Sequence, residues 1–283
     1  MGKRVLTKCQ LIEQSLIKRY RRTIWQPFIR GCQNYKLIEE NDKIAVCISG
    51  GKDSMLLAKL MQQLQKHSDV PFELEFIVMD PGYNEINRIR IEENAKLLEI
   101  PVTVFKSNVF EVSESLAENP CYMCARMRRG FLYQKAKELG CNKIALGHHF
   151  NDVIETTLIG MFYGSQLQGM MPKLHSLNFK GMELIRPMYC IKENAIINWV
   201  KSNELEFISC ACKVVEKNER FKDGAGSSKR QEIKELIKKL KETNPEVEDH
   251  IFSSLHSVNI DTFVGYKQNN VLHNFLENYE DNE

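Results

Sequence analysis

The most constraining feature of this chain is a glycine-rich hexapeptide, SGGKDS at 49–54, which separates an apolar run from an amphipathic segment. The preceding run, KIAVCIS at 43–49, is continuous and rich in β-branched residues, which predicts a buried parallel strand. Residues 54–67 show the apolar spacing of a helix. Glycine amides and a helix N-terminus bind anions, so a phosphate site is expected at the end of this strand. The glycine spacing is not that of the GxxxxGK[ST] loop.

Strand and helix patterns alternate along most of the chain. The predicted strands cover 43–49, 73–80, 101–108, 142–149 and 183–190, and the predicted helices that follow them cover 54–67, 84–100, 126–139, 151–164 and 193–204. Such alternation predicts an α/β fold with a doubly wound parallel sheet. Ligands of these sheets bind at the carboxyl ends of the strands, where the polar segments 49–54, 80–83 and 147–152 are expected to meet.

Composition divides the 283 residues into three predicted regions. Residues 1–40 form a basic helical N-terminal extension, with a helix over 7–30 and eight Lys or Arg against one acid in the first 30 residues. Residues 41–214 form the nucleotide-binding sheet domain. Residues 215–283 form a charged Gly/Ser-rich loop followed by a helical C-terminal extension. The basic end is compatible both with nucleic-acid binding and with a solvated helix face.

Charge and hydropathy exclude several classes of protein. The net charge of +2 argues against binding of polyanions by bulk charge. The apolar runs fall short of the ~20 residues that span a bilayer, and the N-terminus has no apolar signal region. A soluble cytoplasmic protein is expected, with no membrane partner.

The nine cysteines fall into two groups. Five isolated ones are expected to be reduced, buried and structural: Cys9, Cys32, Cys47, Cys141 and Cys190. The others form the close pairs Cys121/Cys124 and Cys210/Cys212. A CxxC pair can hold zinc or an iron–sulfur cluster or act in redox chemistry, although a thioredoxin-like context is a poor fit. Four thiolates would suit zinc, but CxC is an unusual zinc spacing.

A third polar segment, GHHFNDVIET at 147–156, follows the fourth predicted strand. Asp152 and Glu155 are three residues apart at a predicted helix start, so they share one face and are candidates to hold Mg²⁺. Asp152 would otherwise be an N-terminal helix carboxylate. His148 and His149 are equally compatible with a role in the site and with a structural role.

The hexapeptide resembles the PP-loop signature of the ATP pyrophosphatases, which have an adenine nucleotide alpha-hydrolase-like fold. Together with PCYMCARMRRG at 120–130, it is similar to the TtcA-type tRNA cytidine 2-thiolation family and to TtuA-type relatives that thiolate uridine. The likeness covers 43–212. It implies an ATP- and Mg²⁺-dependent tRNA sulfurtransferase that adenylates a pyrimidine C2 oxygen. Sulfur would replace that oxygen through a [4Fe–4S] cluster on three cysteines, with sulfide or a cysteine desulfurase as the donor.

The resemblance also implies roles for individual residues. The nucleotide site would be formed by Ser49, Gly50, Gly51, Lys52, Asp53, Ser54, Met79, Arg128 and Gly147. Asp152 and Arg128 would be catalytic. Cys121 and Cys124 would bind the cluster with Cys210 as third ligand, and Cys212 is the competing candidate.

Two departures from the pattern bear on the substrate. Terminal Cys/His zinc clusters are absent from the sequence, which disfavours the TtuA type. TtcA-type chains commonly carry a CxxC where this chain has Cys-Ala-Cys at 210–212, and that difference leaves the RNA target open.

Two other functions are compatible with the motifs. One is an ATP pyrophosphatase that amidates or ligates a base or small acid, with structural zinc at the cysteines. The other is a nucleotide-binding module, similar to universal stress proteins, that senses ATP or redox state without turnover. Iron content and pyrophosphate release separate the three hypotheses. A homodimer is compatible with the sequence and not required by it.

Overall fold

The apolar runs form one mixed sheet in the computed structural model, which describes residues 5–107, 120–208 and 229–279. The strands are β1 (Lys43–Ile48), β2 (Glu73–Asp80), β3 (Val102–Lys106), β4 (Lys143–Ala145), β5 (Lys173–His175) and β6 (Glu183–Ile185). Their order is β3-β2-β1-β4-β6-β5. All neighbours are parallel except β5, which pairs antiparallel with β6. The predicted parallel α/β sheet is thus confirmed, with an antiparallel edge strand that was not predicted.

Helices connect the strands and cover the sheet. They are α1 (Lys8–Ile17), α2 (Gln26–Asn34), α3 (Lys52–His67), α4 (Glu85–Leu97), α5 (Pro120–Glu138), α6 (Phe150–Gly164) and α7 (Glu193–Ser202). The single helix predicted over 7–30 is interrupted by a π-helical turn at Arg21–Trp25. The helix predicted from 126 begins at Pro120, so both cysteines of the CxxC lie in its first turn.

Alternate residues of β1 point into two separate hydrophobic cores. Ile44, Val46 and Ile48 are buried in the core that contains side chains of α1, α2, α3 and α7. Ala45 and Cys47 are buried on the other face, against side chains of α5. A strand buried on both faces reads as a continuous apolar run, which explains why the sequence of β1 lacks polar alternation. This burial fixes the strand end from which the hexapeptide starts.

The basic N-terminal segment packs into the first of these cores. Ile12, Leu16, Ile24 and Phe28 are at most 1% exposed, whereas the arginines at 19, 21, 22 and 30 point to solvent. The segment therefore has an apolar side in the core and a basic side in water. The domain boundaries at 40 and 214 stay a prediction.

A buried lysine links the segment just before β1 to the amino ends of β4 and β6. Lys143 is 2% exposed, and its Nζ lies 2.7 Å from Asp42, 2.9 Å from Glu39 and 3.3 Å from Glu183. Burial alone would lower the pKa of Lys143, but hydrogen bonds to Asp42 and Glu39 raise it, so the ammonium stays charged.

Replacing Lys143 by methionine is expected to lower the free energy of unfolding by about 3 kcal/mol, because it leaves the buried Asp42 carboxylate without its cation. Urea unfolding measures this change. Lys135→Met is the matched control: Lys135 pairs with Glu138 at 2.7 Å on the surface, and its loss should cost about 0.5 kcal/mol or less. Equal effects of the two changes would contradict this account.

The chain divides into two compact units, Met1–Glu232 and Ile233–Glu283. Helix α8 (Lys229–Thr243) begins in the first unit and continues into the second, which also contains α9 (Val247–Ser254) and a hairpin of β7 (Gly265–Gln268) and β8 (Val271–Asn274). Across residues 5–107, 120–208 and 229–279, no helix combines the length and hydropathy of a membrane span.

Candidate nucleotide and catalytic site

The hexapeptide forms a tight turn between β1 and α3, held by its own hydroxyls. Gly50 has φ of +83°, and a Cβ there would lie 2.5 Å from Ile91. The Ser49 amide donates to the Ser54 hydroxyl at 3.1 Å, and that hydroxyl donates to the Gly51 carbonyl at 2.9 Å. Only glycine fits position 50 without strain, and the turn places the first amides of α3 at the carboxyl end of β1. This is the arrangement expected of a phosphate site.

A lysine and two carboxylates flank the turn. Lys52 Nζ lies 3.1 Å from both Asp53 Oδ2 and Glu193 Oε1. Burial would lower the pKa of Lys52, but Asp53 and Glu193 raise it overall. The ammonium is therefore held charged beside the loop, where it can neutralise a phosphate. Glu193 opens α7 and was not predicted from the sequence.

The segment that follows β4 contacts the hexapeptide, which follows β1, through a glycine. A Cβ at Gly147 would lie 3.1 Å from the Asp53 carbonyl carbon and 3.2 Å from the Ser54 amide nitrogen. Residue 147 therefore passes directly against the backbone of the hexapeptide. The structure brings these two predicted segments together.

Replacing Gly147 by alanine is expected to weaken ATP binding about tenfold, since the new methyl group pushes on backbone rather than on a flexible side chain. Titration calorimetry with a non-hydrolysable ATP analogue measures the affinity. Gly130→Ala is the control, because a Cβ at Gly130 would have no described atom within 4 Å beyond its own helix. Unchanged affinity in the Gly147 variant would refute the proposed close approach of the nucleotide.

The carboxylates that were predicted to bind Mg²⁺, Asp152 and Glu155, lie near the start of α6. Asp152 Oδ2 accepts from the His149 amide at 2.9 Å. His149 Nε2 lies 3.8 Å from Asp53 Oδ1, which is buried and has no hydrogen-bond partner among the described residues. Arg230, from the first turn of α8, reaches Asp152 at 3.3 Å and Glu155 at 3.1 Å. Carboxylate oxygens of Asp53, Asp152 and Glu155 are the donors that Mg²⁺ prefers.

Two further basic side chains lie past the ends of β4 and β6. His148 is largely buried, and burial with the charge of Arg186 lowers its pKa to about 4, so its imidazole is neutral at pH 7. Arg186 is 5% exposed. The fifth strand was predicted to continue to residue 190, which placed Arg186 inside the sheet; the strand ends at Ile185, so Arg186 is the first residue beyond it.

The remaining predicted nucleotide residues occupy compatible places. Met79 is buried near the carboxyl end of β2, one residue beyond the pairing of Ile48 with Val78. Arg128 is half-buried on α5. Their roles toward the adenine and the α-phosphate stay predictions.

The cysteine pairs are only partly within the described structure. Cys121 and Cys124 lie in the first turn of α5, where residues three apart share a helix face. Cys210 and Cys212 lie outside the described residues. Among the side chains that are described, no group of three His, Cys, Asp or Glu is arranged to hold a metal. Of the five isolated cysteines, Cys190 is half-buried and the rest are buried, as predicted.

Comparisons with known proteins identify the family of this chain. Residues 22–220 match the family model of the PP-loop domain. A tRNA-cytidine(32) 2-sulfurtransferase of Geotalea uraniireducens is 33% identical over 88% of this chain and 94% of its own. One of the same name from Alkalilimnicola ehrlichii is 34% identical over 80% of this chain and 70% of its own.

A solved structure shares the fold. The U34-tRNA thiolase NcsA of Methanococcus maripaludis, with its [4Fe–4S] cluster, superposes with a TM-score of 0.64 at 20% identity, over 87% of this chain and 79% of that one. With the PP-loop model matched over most of its length and a relative covered almost end to end, this chain belongs to the PP-loop family and, within it, to the tRNA-cytidine(32) 2-sulfurtransferases.

Proposed function

We propose that this protein uses ATP to replace the C2 oxygen of cytidine 32 in tRNA by sulfur. The observation that supports the proposal is the close approach of Gly147 to the backbone of the hexapeptide, together with the 3.8 Å distance from Asp53 Oδ1 to His149 Nε2 at the start of α6. The names of the relatives supply the substrate and the base position.

The first step activates the base. The C2 carbonyl oxygen of cytosine attacks the α-phosphorus of ATP, the bond to the β-phosphate breaks, and pyrophosphate leaves. The amides of α3 and Lys52 would hold the phosphates, and Arg128 would stabilise charge that develops on the α-phosphate. Asp152 and Glu155 would offer carboxylate oxygens to an Mg²⁺ ion bound to the phosphates, and that ion would neutralise the departing pyrophosphate.

The second step exchanges oxygen for sulfur. Sulfur bonds to C2, and AMP leaves with the former carbonyl oxygen. No protein thiol is needed as the nucleophile if the sulfur is delivered by a cluster.

The residues present fit a [4Fe–4S] cluster. Cys121 and Cys124 are three residues apart near the start of α5, and thiolates at that spacing are soft donors that suit iron–sulfur ligation. A third thiolate would come from Cys210 or, failing that, Cys212. When bound, the cluster would supply sulfur through the iron that the protein leaves open. The sulfur would originate from sulfide or from a cysteine desulfurase.

The RNA would reach the cleft across basic surface. Arg126 and Arg129 are exposed on α5, and the N-terminal arginines face solvent. Such residues neutralise backbone phosphates without reading sequence. A loop nucleotide can turn its base into a pocket at low cost, because it breaks no base pair.

The test is a reaction under anaerobic conditions with iron and sulfide reconstitution, Mg²⁺, ATP and a tRNA transcript that carries cytidine 32. We expect 2-thiocytidine at position 32 by nucleoside mass spectrometry, with AMP and pyrophosphate formed in equal amounts. Zinc in place of iron, together with an unmodified cytidine and another base product, would instead support amidation or ligation. Absence of pyrophosphate with tRNA present would support a non-catalytic nucleotide module.

A further inference from the structure

Arg186 is a buried cation that has no role in either of the two proposed chemical steps. Its side chain is 5% exposed, and one Nη donates to the Met171 carbonyl. Its Nε is buried and has no hydrogen-bond partner among the described residues. No carboxylate of the described structure forms an ion pair with it. A buried guanidinium is normally paired, so this one lacks a partner that a ligand can provide.

His148 lies on the neighbouring strand end. The Leu146 amide donates to the Ile185 carbonyl at 3.0 Å, which holds residues 146–148 beside the start of the segment after β6. His148 Nδ1 is also buried without a hydrogen-bond partner in the described structure. Two unpaired buried polar groups, both able to donate a hydrogen bond, therefore lie past adjacent strands.

Arg129 adds a second positive charge to this place. It is exposed on α5, one helical turn before Tyr133, whose side chain is buried in the core between α5 and the sheet, so Arg129 lies on the side of α5 that faces the sheet. Burial is the main cause that lowers the pKa of both Arg186 and His148, and the positive charge of Arg129 lowers both further. The nearby carboxylate of Asp152 is already engaged by Arg230 and by the His149 amide. Within the described part of the chain, two guanidinium groups and a neutral imidazole thus have no anionic partner with acceptor oxygens. A phosphate oxyanion has that chemistry, and arginine binds it in two-pronged geometry.

The order of the strands in the sheet indicates whether this place would bind a phosphate of ATP or a backbone phosphate of the tRNA. The hexapeptide follows β1, the glycine at 147 follows β4, and Arg186 follows β6, so Arg186 is two strands away from the phosphate loop. Strands are spaced by about 4.8 Å, which puts the two strand ends about 10 Å apart. The β- and γ-phosphates of ATP would occupy the loop. On this geometry we propose that Arg186, Arg129 and His148 form a pocket for one backbone phosphate of the tRNA beside the target cytidine.

This inference rests on the proposed tRNA substrate, but its test requires neither a cluster nor turnover. Binding of an unmodified tRNA transcript is measured by filter binding from low to moderate salt, and binding of a non-hydrolysable ATP analogue by calorimetry. The variants are Arg186→Gln and the exposed Arg129→Gln, which keeps the test decisive if the buried change impairs folding. Arg90→Gln is the control, since Arg90 is an exposed arginine paired with Glu206 at 2.8 Å.

We expect both pocket variants to bind tRNA about tenfold more weakly, with the slope of log affinity against log salt reduced by about 0.7–0.9, the value for one lost phosphate contact. Affinity for the ATP analogue should stay at the parent value, because the pocket would hold a phosphate of the RNA and none of the nucleotide. Weaker binding of the ATP analogue with unchanged tRNA binding would overturn the inference and assign the pocket to the nucleotide. Parent-like binding of both ligands would overturn it as well. A protein that shows the expected loss but makes no 2-thiocytidine would refute the proposed function alone.

Discussion

The Cys121→Ala variant, reconstituted with iron and sulfide, is expected to lose its visible iron–sulfur absorbance and to form 2-thiocytidine at least about 100-fold more slowly than the parent. Changes outside the first ligand shell of a metal already cost 10- to 100-fold, so loss of a ligand should cost more. ATP analogue binding should persist, because the hexapeptide turn is formed between β1 and α3 and includes no residue of α5.

Two further variants make this result specific. Cys124→Ser should behave like Cys121→Ala, since both residues lie in the same helical turn. Cys190→Ala should keep both absorbance and activity, because Cys190 is an isolated, half-buried thiol. Full activity of Cys121→Ala would remove the cluster from the proposed mechanism.

The Asp152→Asn variant is expected to lower the rate of AMP formation by about 10²–10³-fold, the range found when one electrostatic group of a transition state is removed. The asparagine can still accept from the His149 amide, so the start of α6 should stay intact. The charge that would hold Mg²⁺ is lost, and with it half of the Arg230 bridge. Pre-steady-state measurement of AMP release gives the rate.

The control for this change is Asp69→Asn, an exposed acid after α3. It should react at the parent rate. Excess Mg²⁺ should recover little of the lost rate in Asp152→Asn if Asp152 also orients the reacting phosphate. An unchanged rate of AMP formation would show that Asp152 only caps its helix.

The sequence predicted the elements whose signal is local. The bounds of β2 were predicted correctly, because its apolar run ends at the turn signal Pro81-Gly82. The hexapeptide was placed correctly at the end of β1, because an apolar run precedes it and a helical pattern follows it. The hairpin of β7 and β8 was not predicted, although Asn269 and Asn270, both at positive φ, form the kind of two-residue turn that favours a hairpin.

Contacts between distant segments could not be predicted in this way. Arg230 lies in a stretch interpreted as a charged loop, and only folding brings it to Asp152, 78 positions earlier. Glu193 reaches Lys52 across 141 positions. Strands β4 and β6 are three residues long, shorter than predicted, because the residues past them leave the sheet. The apolar pattern of both segments continues past the last strand residue, so the sequence does not reveal where each strand ends.

Isotope tracing gives the most direct test of the claim that the cytidine C2 oxygen is adenylated and then displaced. The reconstituted enzyme would be given ATP and a tRNA whose cytidine 32 carries ¹⁸O at C2, and the AMP would be analysed by mass spectrometry. The proposed chemistry predicts one ¹⁸O in the phosphate of AMP for every 2-thiocytidine formed. Thiolated tRNA accompanied by unlabelled AMP would contradict it.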